Sequence, residues 1–203
     1  MYSQGKEEEV ILNYFKDRKG VFLSIGENDG ITFSNVRQLA KNGWGGVCVE
    51  PSPSAFYVLS NLYKHNSKVD IINRAISTER GVVDFYDSGE HLGIGDTSLL
   101  STINKDEVNR WKGTKNKFNL ISCSCITFDD IFLGTDYKKF NFISIDIEGS
   151  ELSILPMINF ELLKTEMLCV EWNSKDKDKY NSIITPFGLK LIFENNENLI
   201  YAK

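Results

Sequence analysis

The chain predicts an α/β fold: a mostly parallel sheet with helices on both faces and an antiparallel hairpin at the C-terminal end. Two observations carry this. Short, nearly continuous apolar runs, beginning with Val21-Phe-Leu-Ser-Ile25, alternate with amphipathic helical patterns, and that alternation makes parallel strands joined by helical crossovers. Near the end the alternation stops, and two apolar stretches, 189–193 and 199–201, flank the turn 194–198 as a hairpin does.

Taken in order, residues 6–19 set Val10, Ile11, Tyr14 and Phe15 on one helical face, predicting a helix against the sheet before the first strand. The run at 21–25 ends in Gly26, Asn28 and Gly30. Thr32, Ser34 and Asn35 are N-cap types ahead of an amphipathic run at 36–41. Gly43-Trp-Gly-Gly46 reads as a breaker, residues 47–49 as a second strand ending in Glu50-Pro51, and Pro53 as a helix opening whose core side chains are Phe56, Val58, Leu59 and Leu62. A third strand is expected at 69–73 and an extra one at 81–86. Residues 89–117 form a polar connection with a small apolar patch at Leu99, Leu100 and Ile103; loops of that length are usually functional or disordered, and we expect a substrate lid. Order resumes at 120–126, and Thr127-Phe-Asp-Asp-Ile131 marks a capped helix start. A fourth parallel strand at 140–145 ends in Asp146-Ile-Glu-Gly149, a helix starts at Ser150 and Glu151, a fifth strand at 167–170 ends in Glu171-Trp-Asn173, and 180–187 is helical.

The chemistry concentrates in the turn after the first strand. Glycines between a strand's carboxyl end and a helix's amino end let a ligand approach the backbone, and free helix amides favour a polar or anionic group. Positions 26, 28, 30 and 31 are Gly, Asn, Gly and Ile, so the Gly-x-Gly-x-x-Gly dinucleotide fingerprint is not met, and no Gly-Lys-Ser/Thr follows. A nucleoside-like ligand without a pyrophosphate fits better, although such a turn can also close a βα unit that binds nothing.

Composition bounds the answer. A chain of 203 residues, 41% hydrophobic and 25% charged, suits one ordinary globular domain over 1–203. No apolar run approaches the roughly 20 residues of a membrane span, and the charged, amphipathic N-terminal stretch does not resemble a signal peptide, so cytoplasm is the expected location. A net charge of -5 argues against nucleic acid as a partner. Cys48, Cys123, Cys125 and Cys169 lie in or beside strands and read as reduced core residues, since Cys-x-Cys with two histidines elsewhere is not zinc spacing.

Five motifs in register carry a resemblance: Phe22-Leu-Ser-Ile-Gly-Glu-Asn-Asp-Gly30, Gly43-Trp-Gly-Gly-Val-Cys-Val-Glu-Pro51, Asn73-Arg-Ala-Ile76, Thr97-Ser-Leu99 and Phe142-Ile-Ser-Ile-Asp-Ile-Glu-Gly-Ser-Glu-Leu152. Together they resemble the FkbM family of S-adenosylmethionine-dependent methyltransferases, over about residues 20 to 172. The resemblance implies a Rossmann-like class I methyltransferase fold with a seven-stranded sheet, and S-adenosyl-L-methionine as cofactor. It places Gly26, Glu27, Asn28 and Gly30 at the methionine half of the cofactor, Glu50 with Pro51 at the ribose, Ala75 and Ile76 at the adenine, and Asp146 at the reactive centre. It departs from the commoner family pattern at Ser24, Glu27 and Ser144, the first two bearing on the cofactor's hydrogen bonds. The implied acceptor is a hydroxyl on a sugar, glycan or small metabolite, reached through His91, Thr97 and Ser98 of the lid.

Methyl transfer from a sulfonium asks the protein chiefly for alignment, but a hydroxyl acceptor must also lose a proton, and Asp146 or Glu148 can take it. Glu148 could instead cap the helix beginning near Ser150. A divalent ion held by Asp146, Glu148 and Glu171 is the less favoured expectation, because no ligand triad of fixed spacing is visible and the carboxylates come from two strand ends. His65 reads as a helix-surface residue. Two other functions compete: a non-catalytic nucleoside-binding module on the same fold, and a nicotinamide-dependent oxidoreductase, against which the missing fingerprint and the terminal hairpin speak.

Overall fold

The computed structural model describes residues 1–203. Seven strands form one sheet. Its parallel members are β1 (Val21–Ile25), β2 (Gly45–Val49), β3 (Val69–Ile72), β7 (Phe142–Ile145) and β8 (Met167–Glu171). The C-terminal hairpin, β9 (Lys190–Glu194) and β10 (Asn198–Ala202), completes it in the order β3-β2-β1-β7-β8-β10-β9. The last strand therefore inserts between β8 and β9, antiparallel to both.

Side chains of the central strands alternate between two cores, as the pleat dictates. Leu23, Ile25, Val47, Val49, Ile143, Ile145, Leu168 and Val170 face α5 (Phe128–Gly134), α6 (Glu151–Ile154) and α7 (Lys177–Ile184). Phe22, Cys48, Phe142, Met167 and Cys169 face α1 (Glu7–Phe15), α2 (Arg37–Lys41) and α3 (Pro53–Tyr63). All four cysteines are buried and free. No helix is long and apolar enough to cross a membrane.

Several local expectations shift. The second strand starts at Gly45 instead of Val47: Gly45 and Gly46 pair with Val21 and Phe22, and the Phe22 ring lies where a Cβ on Gly46 would sit, so half of this breaker cluster is strand. Val58 is 43% exposed: α3 buries Ala55, Leu59 and Tyr63, a narrower stripe than its apolar residues suggest. His65 lies in the turn after α3, exposed. Residues 81–86 and 120–126 pair with each other instead of joining the main sheet. They are parts of β5 (Gly81–Ser88) and β6 (Phe118–Ile126), which with β4 (Ala75–Ile76) make a separate three-stranded sheet in the order β4-β6-β5. The 89–117 connection leaves from one end of this hairpin and returns to it. It contains the short helix α4 (Lys105–Arg110), bridges Tyr86 to Thr102, and turns Leu100 inward.

Candidate active site

Register decides where the chemistry falls. Ile25 pairs with both Val49 and Ile145, and Ile145 with Val170, so the next residues along, Gly26, Glu50, Asp146 and Glu171, stand in one row at the sheet's carboxyl edge. Ligands of open α/β sheets bind at that edge. The row is stitched by Gly26 N–H to Val49 O at 2.9 Å and Asp146 N–H to Ile25 O at 2.9 Å. Gly26 has φ +81, and a Cβ there would lie 1.7 Å from the Asp146 carbonyl oxygen, so only glycine lets these two strand ends meet.

A cavity of about 280 Å³ opens over this row, near the ~300 Å³ lower bound of small-molecule sites. Of the sequence-predicted residues, Gly26, Glu27, Asn28, Glu50, Pro51, Ala75, Ile76, His91, Ser98, Asp146 and Glu148 line it. Gly30 does not. With φ +77 it packs the turn on α3, where a Cβ would sit 2.7 Å from Leu59 and Leu62. Thr97 is exposed and reaches the site only through its carbonyl, which accepts from Asn28 Nδ2 at 3.2 Å.

Five of the nine non-glycine residues with positive φ, Asn28, Phe33, Ser98, Glu148 and Asn173, also line this cavity. Backbone held in that region costs free energy and gathers where structure serves a site, so the strain and the cavity point to the same place.

The acids are held in two ways. Glu50 is buried; its carboxylate accepts from Asn28 N–H at 2.8 Å and Ser52 N–H at 2.7 Å, one per oxygen. Burial pushes it up to about 8 against the pull of those two amides. Glu27 is held in the cavity wall by the hydroxyls of Ser24 at 2.5 Å and Ser34 at 2.6 Å, and burial raises it to about 7. The two departures from the commoner pattern thus satisfy each other: Ser24 donates to the acid three residues on.

Asp146, Glu148 and Glu171 converge, with one carboxylate oxygen of each within 4.8 Å of the others. Burial raises Asp146 to about 6, and burial plus the neighbouring carboxylates raises Glu148 and Glu171 well above the carboxylate range. A triad is therefore present although its members are far apart in sequence, because parallel register aligns two strand ends. Glu148 does not cap α6. It sits at φ +54, and the turn is held by Glu151, which accepts from Ile147 N–H at 2.9 Å and Gly149 N–H at 3.2 Å.

The 89–117 connection covers the cavity. Thr102 Oγ1 donates to Glu148 O at 2.8 Å and Asn104 Nδ2 to Gly149 O at 2.8 Å, tying it to the turn after β7. Ser98 Oγ shares hydrogen bonds with Ser52 at 2.7 Å and Asp87 at 3.0 Å. His91 contacts Asn116 Oδ1 through Nδ1 at 3.0 Å and meets Trp111 edge-on, and the Arg110 guanidinium lies 5.0 Å from the centre of the Trp111 ring. Arg110 and Trp111 line the cavity and went unnoticed in the sequence; the available signal was an Arg-Trp pair inside an otherwise polar connection.

A family model for the methyltransferase FkbM domain matches residues 24–186. No curated protein matches the chain in sequence. Among solved structures, the FkbM methyltransferase of Methylobacillus flagellatus KT superposes with a TM-score of 0.56 at 16% identity, covering 92% of this chain and 44% of its own. The ribosomal protein L11 methylase of Lactobacillus delbrueckii subsp. bulgaricus gives 0.51 at 10% identity, covering 97% and 76%. The precorrin-6y C5,15-methyltransferase of Geobacter metallireducens GS-15 gives 0.50 at 14%, covering 97% and 86%. This chain thus spans less than half the length of the Methylobacillus protein. At these identities the superpositions speak for the fold, class I methyltransferase, and the domain match covers most of the chain: it belongs to the FkbM family of S-adenosylmethionine-dependent methyltransferases.

Proposed function

We propose that this chain transfers the methyl group of S-adenosyl-L-methionine to a hydroxyl oxygen of a sugar, glycan or other small metabolite. The observation that carries the reading is the row of Gly26, Glu50 and Asp146 along one cavity floor, roofed by a segment that presents Arg110, Trp111 and His91.

The residues present fit the cofactor. Each Glu50 oxygen takes one backbone N–H and keeps a lone pair, so the carboxylate can still accept both hydroxyls of a ribose. Ala75 is small and, with Ile76, gives an apolar wall suited to an adenine ring. Asp146, Glu148 and Glu171 make the remaining end acidic, and a cationic sulfonium or ammonium there would favour their ionised forms. When bound, the cofactor supplies an electrophilic methyl group on a positively charged sulfur.

The rest falls to the chain. Asp146 accepts the proton that the hydroxyl gives up as its oxygen gains the methyl group, and Glu148, beside it, orients that hydroxyl. Trp111 offers a flat face for a sugar ring, and its buried Nε1–H has no acceptor within the protein and is free for a ligand oxygen. Ser98 and His91 add polar contacts at the rim.

The test is transfer of isotopically labelled methyl from the cofactor to a panel of sugars, nucleotide sugars and small polyols, alongside calorimetry with S-adenosylhomocysteine and NAD. Labelled ether product with nucleoside binding supports the reading. Nucleoside binding with no transfer to any hydroxyl would reduce the protein to a binding module, and NAD binding alone would overturn the reading.

A further inference from the structure

We propose that Asp146, Glu148 and Glu171 together bind one divalent cation of the hard, oxygen-preferring kind, beside the position where the methyl group is transferred. The cation's role rests on the reading above; its binding does not.

The geometry fits. Oxygen ligands 2.0 to 2.6 Å from a shared ion lie at most about 4 to 5 Å apart, and one oxygen from each of these three side chains lies within 4.8 Å of the others. An all-carboxylate set without cysteine or histidine suits magnesium, manganese or calcium better than zinc.

A second observation singles out Glu171. It is 7% exposed, lines the cavity, and its Oε2 is sealed from solvent with no hydrogen-bond donor. Other buried acids of this protein are satisfied: Glu50 by two backbone amides, Glu27 by two hydroxyls, Glu151 by the amides of Ile147 and Gly149, Glu7 by Gly5 N–H and the amides of Asn195 and Asn198, and Glu107, whose Oε2 also lacks a hydrogen bond, by ion pairs to Arg110 and Lys175. A buried carboxylate oxygen without a partner is costly, and this carboxylate has an oxygen within 4.8 Å of oxygens of Asp146 and Glu148. The single ion pair of the cluster is Arg110 to Glu148 at 3.7 Å, and Arg110 is already engaged by Glu107 at 2.5 Å. Three carboxyl groups therefore share one weak counter-charge, and a dication would hold them in their ionised form. Its open positions, filled by water, would accept the hydroxyl oxygen of the acceptor and draw it toward the cofactor.

Full-length protein freed of metal by chelation is titrated calorimetrically with manganese, magnesium and calcium chlorides, with no cofactor present. One cation per chain is expected, with affinity at least ten-fold weaker in Glu171→Gln and in Glu148→Gln and unchanged in Asp129→Asn, an exposed acid elsewhere. Circular dichroism melts establish that each variant is folded, and the two glutamate variants test the site independently. Parallel titrations with S-adenosylhomocysteine separate the two ideas. If the nucleoside binds and no cation does, or if both glutamate variants bind the cation as wild type does, the cation site is overturned while the methyltransfer reading stands. If the cation binds and the nucleoside does not, the site stands and the methyltransfer reading falls.

Discussion

Asp146 and Glu50 occupy equivalent places at two strand ends yet meet different surroundings, and their substitutions should separate catalysis from binding. Asp146→Asn keeps size and hydrogen-bonding capacity but removes the charge and basicity. Turnover on an identified hydroxyl acceptor should fall about 100-fold or more, with S-adenosylhomocysteine affinity changing only a few-fold. Turnover of the two proteins on the same acceptor checks this. Glu50→Gln retains one acceptor oxygen for the Asn28 and Ser52 amides but loses the charge, and above pH 8, where Glu50 is ionised, should weaken S-adenosylhomocysteine by about 1.5 to 3 kcal/mol, the usual worth of a hydrogen bond to a charged group. Calorimetric affinity unchanged within a few-fold would leave Glu50 a purely structural anchor of the turn.

At the scale of elements, two glycines that look alike in the sequence do different work. Gly30 was expected to admit the cofactor, whereas its missing Cβ makes room for Leu59 and Leu62 of α3. Gly30→Val should therefore destabilise the fold by about 1 to 3 kcal/mol or more, the cost of overpacking added to positive-φ strain, and chemical denaturation will register it before any binding assay does. Gly149, at φ +95, is where the covering segment meets the sheet: a Cβ there would lie 2.4 Å from Glu107 Cγ on α4. Glu107 also pairs with Arg110 at 2.5 Å and Lys175 at 2.7 Å, clasping α4 to the turns after β7 and β8. Gly149→Ala should push α4 outward, raising KM for the acceptor several-fold while S-adenosylhomocysteine affinity holds. A variant in which KM rises and S-adenosylhomocysteine affinity weakens together would mean that α4 and the cofactor site are not separable.

The molecule as a whole carries an unusual load of buried acids, and its stability should show it. Glu27 and Glu151 are raised to about 7 and Glu50 to about 8, against about 4.3 in an unfolded chain. Between those values the folded state holds more protons than the unfolded one, so stability falls as pH rises. This contribution is fully present below about pH 4 and is lost as pH climbs through 7 to 8. Scanning calorimetry of the ligand-free protein should therefore give a melting temperature at pH 8 lower than at pH 5.5 by about 5 °C or more. A flat or rising profile would mean that these carboxyls are more hydrated than their burial implies.

Much of the architecture is written in local pattern. The run Val21–Ile25, the turn glycines, the Asp130 carboxylate that takes the Thr127 N–H at 2.9 Å at the start of α5, and the terminal hairpin are consequences of apolar periodicity and cap chemistry, which act over a few residues and can be read in order. The acids at the strand ends were legible too, as single residues after apolar runs. What only tertiary structure decided was distance. Glu50, Asp146 and Glu171 stand in one row because parallel register pairs Ile25 with Val49 and Ile145, and Ile145 with Val170, and register depends on pairings across many tens of residues. The same holds for Gly30, whose neighbours on α3 come from about thirty residues on, for β5 and β6, which chose each other over the main sheet, and for Arg110 and Trp111. Periodicity records which way a side chain faces; it does not record which other segment will be waiting there, and a site is made of those meetings.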